Sequence, residues 1–175
     1  RHHVAHIQVV HPDDVPRFAA LGAVANCQAL WAQSDAQMDE LTLPFLGPDR
    51  GGFQYPFESI RAAGADIVFL QEVVGQHQSH AEKIEDWPSS SQFEFLADEV
   101  WTHYAYGKNA VYSAGHHGNA ILSAFPISSW QNHDISTNPL ENRGLLHAAV
   151  TVPELGPELG PEPGRTIHCF CVHMS

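Results

Sequence analysis

Glu72 closes an apolar run, ADIVFLQEV from Ala65 to Val73, and is the first group in this sequence placed as if to do chemistry. A carboxylate held at the C-terminal tip of a buried strand can offer oxygen to a hard cation or move a proton. The alternative is a surface carboxylate on a loop. Imidazoles are the second resource, with 13 His in the chain. His173 follows the apolar run RTIHCFCV, and histidine is a residue type that can act as an acid. The other reading is a satisfied core histidine. His116 and His117 precede Gly118 and either line a site or face solvent. His77 and His80 stand at i, i+3, but spacing fixes no third ligand, so a solvated loop or helix edge is expected there.

Such groups need elements to carry them. HHVAHIQVV alternates enough for a strand, and HPDDVPRFAALG reads as a helix with Pro12 in its first turn, acidic residues at its positive end and Gly22 closing it. Val15, Phe18 and Ala19 form its expected inner stripe. AVANCQAL is a second strand, residues 33–56 read as irregular, PFESIRAAGA is a short helix ending at Gly64, and ADIVFLQEV follows. Strand and helix alternate here as in a parallel α/β sheet, whose ligand sites gather beyond the C-terminal strand ends. Farther on, SSSQFEFLADEVW is a helix with a Ser91–Glu94 capping box and a packing stripe of Phe93, Leu96, Ala97, Val100 and Trp101. GHHGNAILSAFPI is a Gly-bounded turn entering a strand. GLLHAAVTV and RTIHCFCVHMS are strands joined by the Pro- and Gly-rich repeat PELGPELGPEPG, an exposed hairpin loop.

Composition narrows the partners. The 175 residues suit one domain or two small ones, and 43% hydrophobic content is ordinary for a globular chain. No apolar run approaches the roughly 20 residues of a membrane span. Net charge is −12, with only 8 Lys and Arg, so long nucleic acid is disfavoured unless a metal ion supplies positive charge. No signal peptide is visible, although the chain opens on Arg1. Cys27, Cys169 and Cys171 read as free thiols of a reducing compartment, hence a cytoplasmic location.

Four ordered blocks, DIVFLQEV, HHGNAILSAFPI, ENRGLLHAAV and HCFCVHMS, make residues 65–175 resemble the N-terminal part of the endonuclease/exonuclease/phosphatase family. The resemblance implies an α/β layered sandwich of two packed sheets, here incomplete and preceded by a βαβ segment. It implies that Glu72 is the ligand of Mg2+ (or Mn2+), that His173 contacts the scissile phosphate or protonates the leaving group, and that Asn119 and Arg143 surround the site. The ordinary readings are a core histidine, a turn former beside Gly118 and a solvated turn residue. The family's first strand ends in a metal-supporting Asn, which AVANCQAL supplies as Asn26, with Gln28 beyond; an ordinary strand-end Asn is the other reading. The family's later Gly-Asp-x-Asn and Asp-His blocks do not occur before Ser175, so feeble hydrolysis is expected.

Residues 1–64 resemble instead a late segment of a metal-dependent amidohydrolase barrel, in which His6 would match a metal-binding His. Asp86 resembles the Asp motif of that barrel, although a loop Asp is the simpler reading. The chain therefore reads as a chimera of two partial hydrolases. The expected activity is metal-dependent hydrolysis of a phosphodiester substrate, with a Zn2+ amidohydrolase-like fragment or a non-catalytic folding and assembly unit as alternatives. Finally, RTIHCFCVHM alternates Ile167, Cys169 and Cys171 against Phe170, Val172 and Met174, so neither face is polar. With roughly one of the family's two sheets in hand, the open face calls for a homodimer or other homo-oligomer, unless the N-terminal βαβ segment covers it.

Overall fold

The computed structural model describes residues 2–28, 32, 36–78, 82, 89–97, 101–138, 142–153 and 164–173. Strand β1 (His3–His6) leads through a single 3-10 turn (Pro12–Asp14) into helix α1 (Val15–Leu21) and then strand β2 (Val24–Gln28). Gly22 ends α1 in the left-handed region at φ 60°, which glycine adopts without strain. Val15 is buried and Phe18 packs on the core, whereas Ala19, expected on the inner stripe, is exposed. β1 is shorter than its sequence pattern because the backbone turns left-handed at His6 and Ile7, with φ of 69° and 43°.

Residues expected to be irregular are partly helical. Gln37–Thr42 form a wide π-helical turn that runs into α2 (Leu43–Gly51), which is kinked at Gly47. Pro44 occupies the tolerated first turn of α2, and Gly47 takes the kink at φ 76°, so these breakers shape a helix rather than exclude one. Helix α3 (Phe57–Ala62) precedes β3 (Ile67–His77). Helix α4 (Gln92–Ala97) carries the capping box as expected: the Ser91 N–H donates to Glu94 Oε2 at 3.0 Å, and the Glu94 N–H donates to Ser91 Oγ at 3.3 Å. Strands β4 (His103–Tyr112), β5 (Gly115–Ser123), β6 (Ile127–Asp134), β7 (Gly144–Val152) and β8 (Arg165–Val172) complete the described elements. The PELGPELGPEPG loop lies, apart from its ends, outside the described residues.

Two sheets result, one of five strands in the order β1-β2-β3-β5-β4 and one of three in the order β6-β7-β8. Only β1, β2 and β3 are parallel; β5 and β4 join antiparallel, so the first sheet is mixed rather than purely parallel. Its two faces bury different partners. On one, Val15, Ile60, Phe93, Ala97 and Trp101 cover Cys27, Val68, Leu70, Val73, Ala120 and Leu122. Trp101 also donates its indole N–H to the Ala65 carbonyl at 2.8 Å. On the other, Ala105 and Ile121 meet Leu146, Ala148, Val150, Cys169 and Cys171 of the second sheet. Each fully buried Leu, Ile or Val contributes about 1.5–3 kcal/mol.

This layering corrects the expectation of a lone sheet. The chain builds both sheets and packs them face to face, because β8 turns Cys169 and Cys171 inward. The strand's apolar alternation is real, but one half of it is already covered. The outer side carries Phe170, 54% exposed. All three cysteines are free and buried, and burial pushes the thiols of Cys27 and Cys171 up to about 12, which leaves them unreactive.

Close approach of backbones fixes β4 against β5. A Cβ on Gly118 would land on the carbonyl oxygen of Gly107 in the neighbouring strand. Gly118→Ala is therefore expected to lower unfolding stability in urea by about 1–3 kcal/mol, the cost of overpacking a rigid core. A wild-type midpoint would show that the strands can part freely.

Candidate functional site

The site is built by an irregularity in β3. Leu70 pairs with Ala120 and Val73 pairs with Gly118, so Gln71 and Glu72 together oppose the single residue Asn119. This is a β-bulge, two residues against one. It lets Leu70 and Val73 both stay in the helix-side core, while the two polar residues between them are spared that core. Regular alternation would have turned Glu72 to the same face as Leu70. The backbone at Glu72 is left-handed, φ 52°, a conformation that costs a non-glycine residue about 1–2 kcal/mol. Glu72 thus lies inside an eleven-residue strand that runs on to His77, not at a strand tip.

The released side chains reach the second sheet. Gln71, 5% exposed, donates its amide N–H to the Val172 carbonyl at 2.6 Å. The next residue along is His173, whose Nδ1 lies 3.4 Å from Glu72 Oε1, with both side chains mostly buried. Asn119, 1% exposed, donates from Nδ2 to the Gly144 carbonyl at 3.0 Å and the Cys171 carbonyl at 3.3 Å. The Cys171 thiol adds a bond to the Leu70 carbonyl at 3.5 Å. The ends of β7 and β8 are therefore tied to the bulge by the side chains of Gln71 on β3, Asn119 on β5 and Cys171 on β8.

Two further groups join. His117 is held below the usual imidazole range, first by burial and then by Arg143 and His173, against the opposing pull of Glu72. Its electrostatic partners place His117, Arg143, His173 and Glu72 in one neighbourhood. The Arg143 backbone is held by its N–H donating to Ser136 Oγ at 2.9 Å and its carbonyl accepting from the Ile135 N–H at 3.0 Å. His116 faces a different environment: its Nδ1 meets the Tyr106 hydroxyl at 3.0 Å, and burial lowers its pKa.

The structure brings together Glu72, His173, Asn119 and Arg143. Asn26 sits in β2 beside Phe69, while Gln28 pairs with Gln71. The Asn26 side-chain oxygen is buried without a hydrogen-bond partner. His6 is exposed at the end of β1, and His77 lies at the end of β3 against the Tyr112 ring rather than on a helix. His80 and Asp86 fall outside the described residues. Gln71 was invisible as a clamp from sequence reasoning, although two adjacent polar residues inside an apolar run are the mark of a broken period of two.

The donors suit a hard cation in part. Glu72 provides a carboxylate, and the partnerless Asn26 oxygen is an acceptor awaiting a donor or an ion. Among the described residues no group of three or more His, Cys, Asp or Glu could hold a metal ion. An ion here would depend on one or two protein oxygens, water and substrate phosphate, a coordination that suits Mg2+.

Removing the clamp tests this geometry. Gln71→Ala should cost about 1–3 kcal/mol in urea unfolding, because the Val172 carbonyl loses a buried partner, and should shift the His173 ring resonances in NMR spectra. Wild-type stability with unmoved His173 resonances would contradict the clamp.

Comparison with known proteins follows the same residues. Residues 57–166 match the model of the endonuclease/exonuclease/phosphatase family. The chain is 47% identical over 118 residues, 67% of its length, to "Uncharacterized protein YbhP" of Escherichia coli strain K12, and equally to the protein so named in Shigella flexneri. It spans 44% of the length of these relatives. A solved endonuclease/exonuclease/phosphatase family protein from Leptotrichia buccalis C-1013-b aligns with a TM-score of 0.47 and 12% identity, over 69% of this chain and 46% of that one. With the family model covering most of its described strands, the chain belongs to the endonuclease/exonuclease/phosphatase family, hydrolases that generally depend on divalent metal.

Proposed function

We propose that this chain carries the Glu72 half of a metal-dependent phosphodiester hydrolase site. The observation behind this reading is a strained carboxylate, φ 52°, set by a bulge within 3.4 Å of an imidazole. Backbone strain of this kind persists where the surroundings enforce it, and it clusters at functional sites. Mg2+ or Mn2+, held by Glu72 with Asn26 in support, would neutralise phosphodiester charge when bound. His173 stands where a neutral or protonated imidazole can hydrogen-bond a phosphate oxygen or give a proton to a leaving alkoxide. Arg143 supplies a guanidinium suited to bidentate phosphate contact. Asn119, with its amide hydrogens committed to two carbonyls, positions the site rather than touching substrate.

The finer features belong to the same reading. The substrate is a small phosphodiester, since a net charge of −12 repels a long polyanion. Three buried free thiols suit a reducing compartment such as the cytoplasm. No helix among the described residues is long and apolar enough to cross a membrane. Homo-oligomer formation would use the outer face of β6-β7-β8, where Phe170 is 54% exposed. The chimera reading keeps residues 1–64 as a βαβ segment of separate origin. A Zn2+ amidohydrolase role draws on the exposed His6 alone.

Bis(p-nitrophenyl) phosphate with Mg2+ or Mn2+ tests the proposal. Slow turnover is expected, because one carboxylate is a sparse donor set and incomplete catalytic sets lose large factors in rate. Glu72→Gln and His173→Ala should each remove the metal-dependent part. Glu72→Gly should remove it as well while leaving stability equal or higher, since glycine relieves the left-handed strain. Metal-independent turnover, or full activity in Glu72→Gln, would overturn the assignment.

A further inference from the structure

A row of rings runs away from the Glu72 site along one face of the five-stranded sheet. Alternation along β5 places His117 and Gly115 on the same face as Asn119. The register sets His77 of β3 and Tyr112 of β4 on either side of Gly115. Strands two apart in a sheet lie about 9.4–9.8 Å from each other, so a side chain on the middle strand ordinarily separates the outer two. Gly115 has none, and the His77 and Tyr112 rings meet across it, centres 5.8 Å apart and tilted by 57°. A Cβ at Gly115 would strike the Gln76 carbonyl oxygen, so the backbone itself keeps this gap clear. Tyr112 also meets His117, centres 5.8 Å apart and tilted by 43°.

The two ends of the row differ. At the inner end, His117 stands in the electrostatic neighbourhood of Glu72, Arg143 and His173. At the outer end, Tyr112 is 37% exposed and His77 partly exposed, so ring surface is open to solvent. His117 opposes Val74, two residues beyond Glu72. That is about 6–7 Å along the sheet, and the Gly115 position lies about 13 Å along it. A ring joined to a phosphate through a sugar or a short linker covers the first of these intervals. Aromatic side chains receive flat ligand rings in offset or tilted contact, without needing charge on either partner. The row therefore offers a ring-binding surface within reach of a phosphate held at Glu72.

We infer that His117, Tyr112 and His77 form a subsite for a flat aromatic or heterocyclic ring, such as a nucleobase, carried by the phosphodiester at Glu72. The subsite narrows the substrate class to diesters that bear such a ring, in preference to purely alkyl diesters. The inference rests on the phosphodiester reading for what the ring is attached to, whereas the ring contacts stand on the register of β3, β4 and β5 alone.

Proton NMR titration of the full chain with Mg2+ tests this, using thymidine 5′-(methyl phosphate), thymidine and dimethyl phosphate as probes. The two thymidine compounds should shift the ring resonances of Tyr112 and His117 and move their own thymine H6 signal upfield. Dimethyl phosphate should leave the Tyr112 ring unmoved. Tyr112→Ala should weaken binding of the nucleoside diester at least about fivefold, the lower end of what stacking one ring contributes. Tyr112→Phe, which keeps the ring, should bind as the parent does. The shifts in the parent chain decide the matter even if Tyr112→Ala lowers the urea midpoint. The two readings fail separately: dimethyl phosphate binding that Glu72→Gln does not weaken counts against the phosphodiester site, while thymidine shifts at Tyr112 still support the subsite. Tyr112 and His117 rings that neither thymidine compound shifts, or a diester affinity unchanged in a folded Tyr112→Ala, would overturn the subsite.

Discussion

Two residues of β3 facing one of β5 is the constraint on which the rest depends. A strand cannot show two successive side chains to the same side without a break in its pleat. Here the break falls at Gln71 and Glu72, opposite Asn119. It preserves the core on both sides of the irregularity, since Leu70 and Val73 remain packed with Ala120 and Leu122. Its cost is the left-handed backbone at Glu72. The return is a carboxylate and an amide delivered to the junction of the two sheets.

That junction is polar where sheet-on-sheet packing is otherwise dry. Ala105, Ile121, Leu146, Ala148 and Val150 fill most of the gap with apolar volume. At one end, Gln71 and Asn119 reach across to the carbonyls of Val172, Cys171 and Gly144. Buried amides of this kind hold their partners in one geometry, because losing a bond in a low-dielectric setting is expensive. His173 inherits its place beside Glu72 from the clamp on its neighbour Val172. The same sheet turns its other face outward, where His147, His168 and Phe170 stack.

Much of this was legible in the residues. The apolar run ADIVFLQEV announces a buried strand, and the Ser91–Glu94 pair announces the helix cap that is present at 3.0 and 3.3 Å. Glu72, His173, Asn119 and Arg143 could be singled out by their blocks. The bulge could not be located, because its register depends on β5, which lies far along the chain. Helix α2 was hidden by Pro44 and Gly47, residues that usually break helices and here occupy its first turn and its kink. Strands β4 and β6 carry mixed polar sequences, THYAYGKNAVYS and ISSWQNHD, whose pairing is fixed by neighbours rather than by their own alternation.

Mn2+ is the direct probe of the central claim, since it substitutes for Mg2+ at oxygen sites and broadens nearby NMR signals. In a substoichiometric Mn2+ titration, the ring resonances of His173 and His117 should broaden first, and Glu72→Gln should abolish that selectivity. Broadening that spares His173 and His117, or that persists unchanged in Glu72→Gln, would contradict the claim that the bulge builds a metal site.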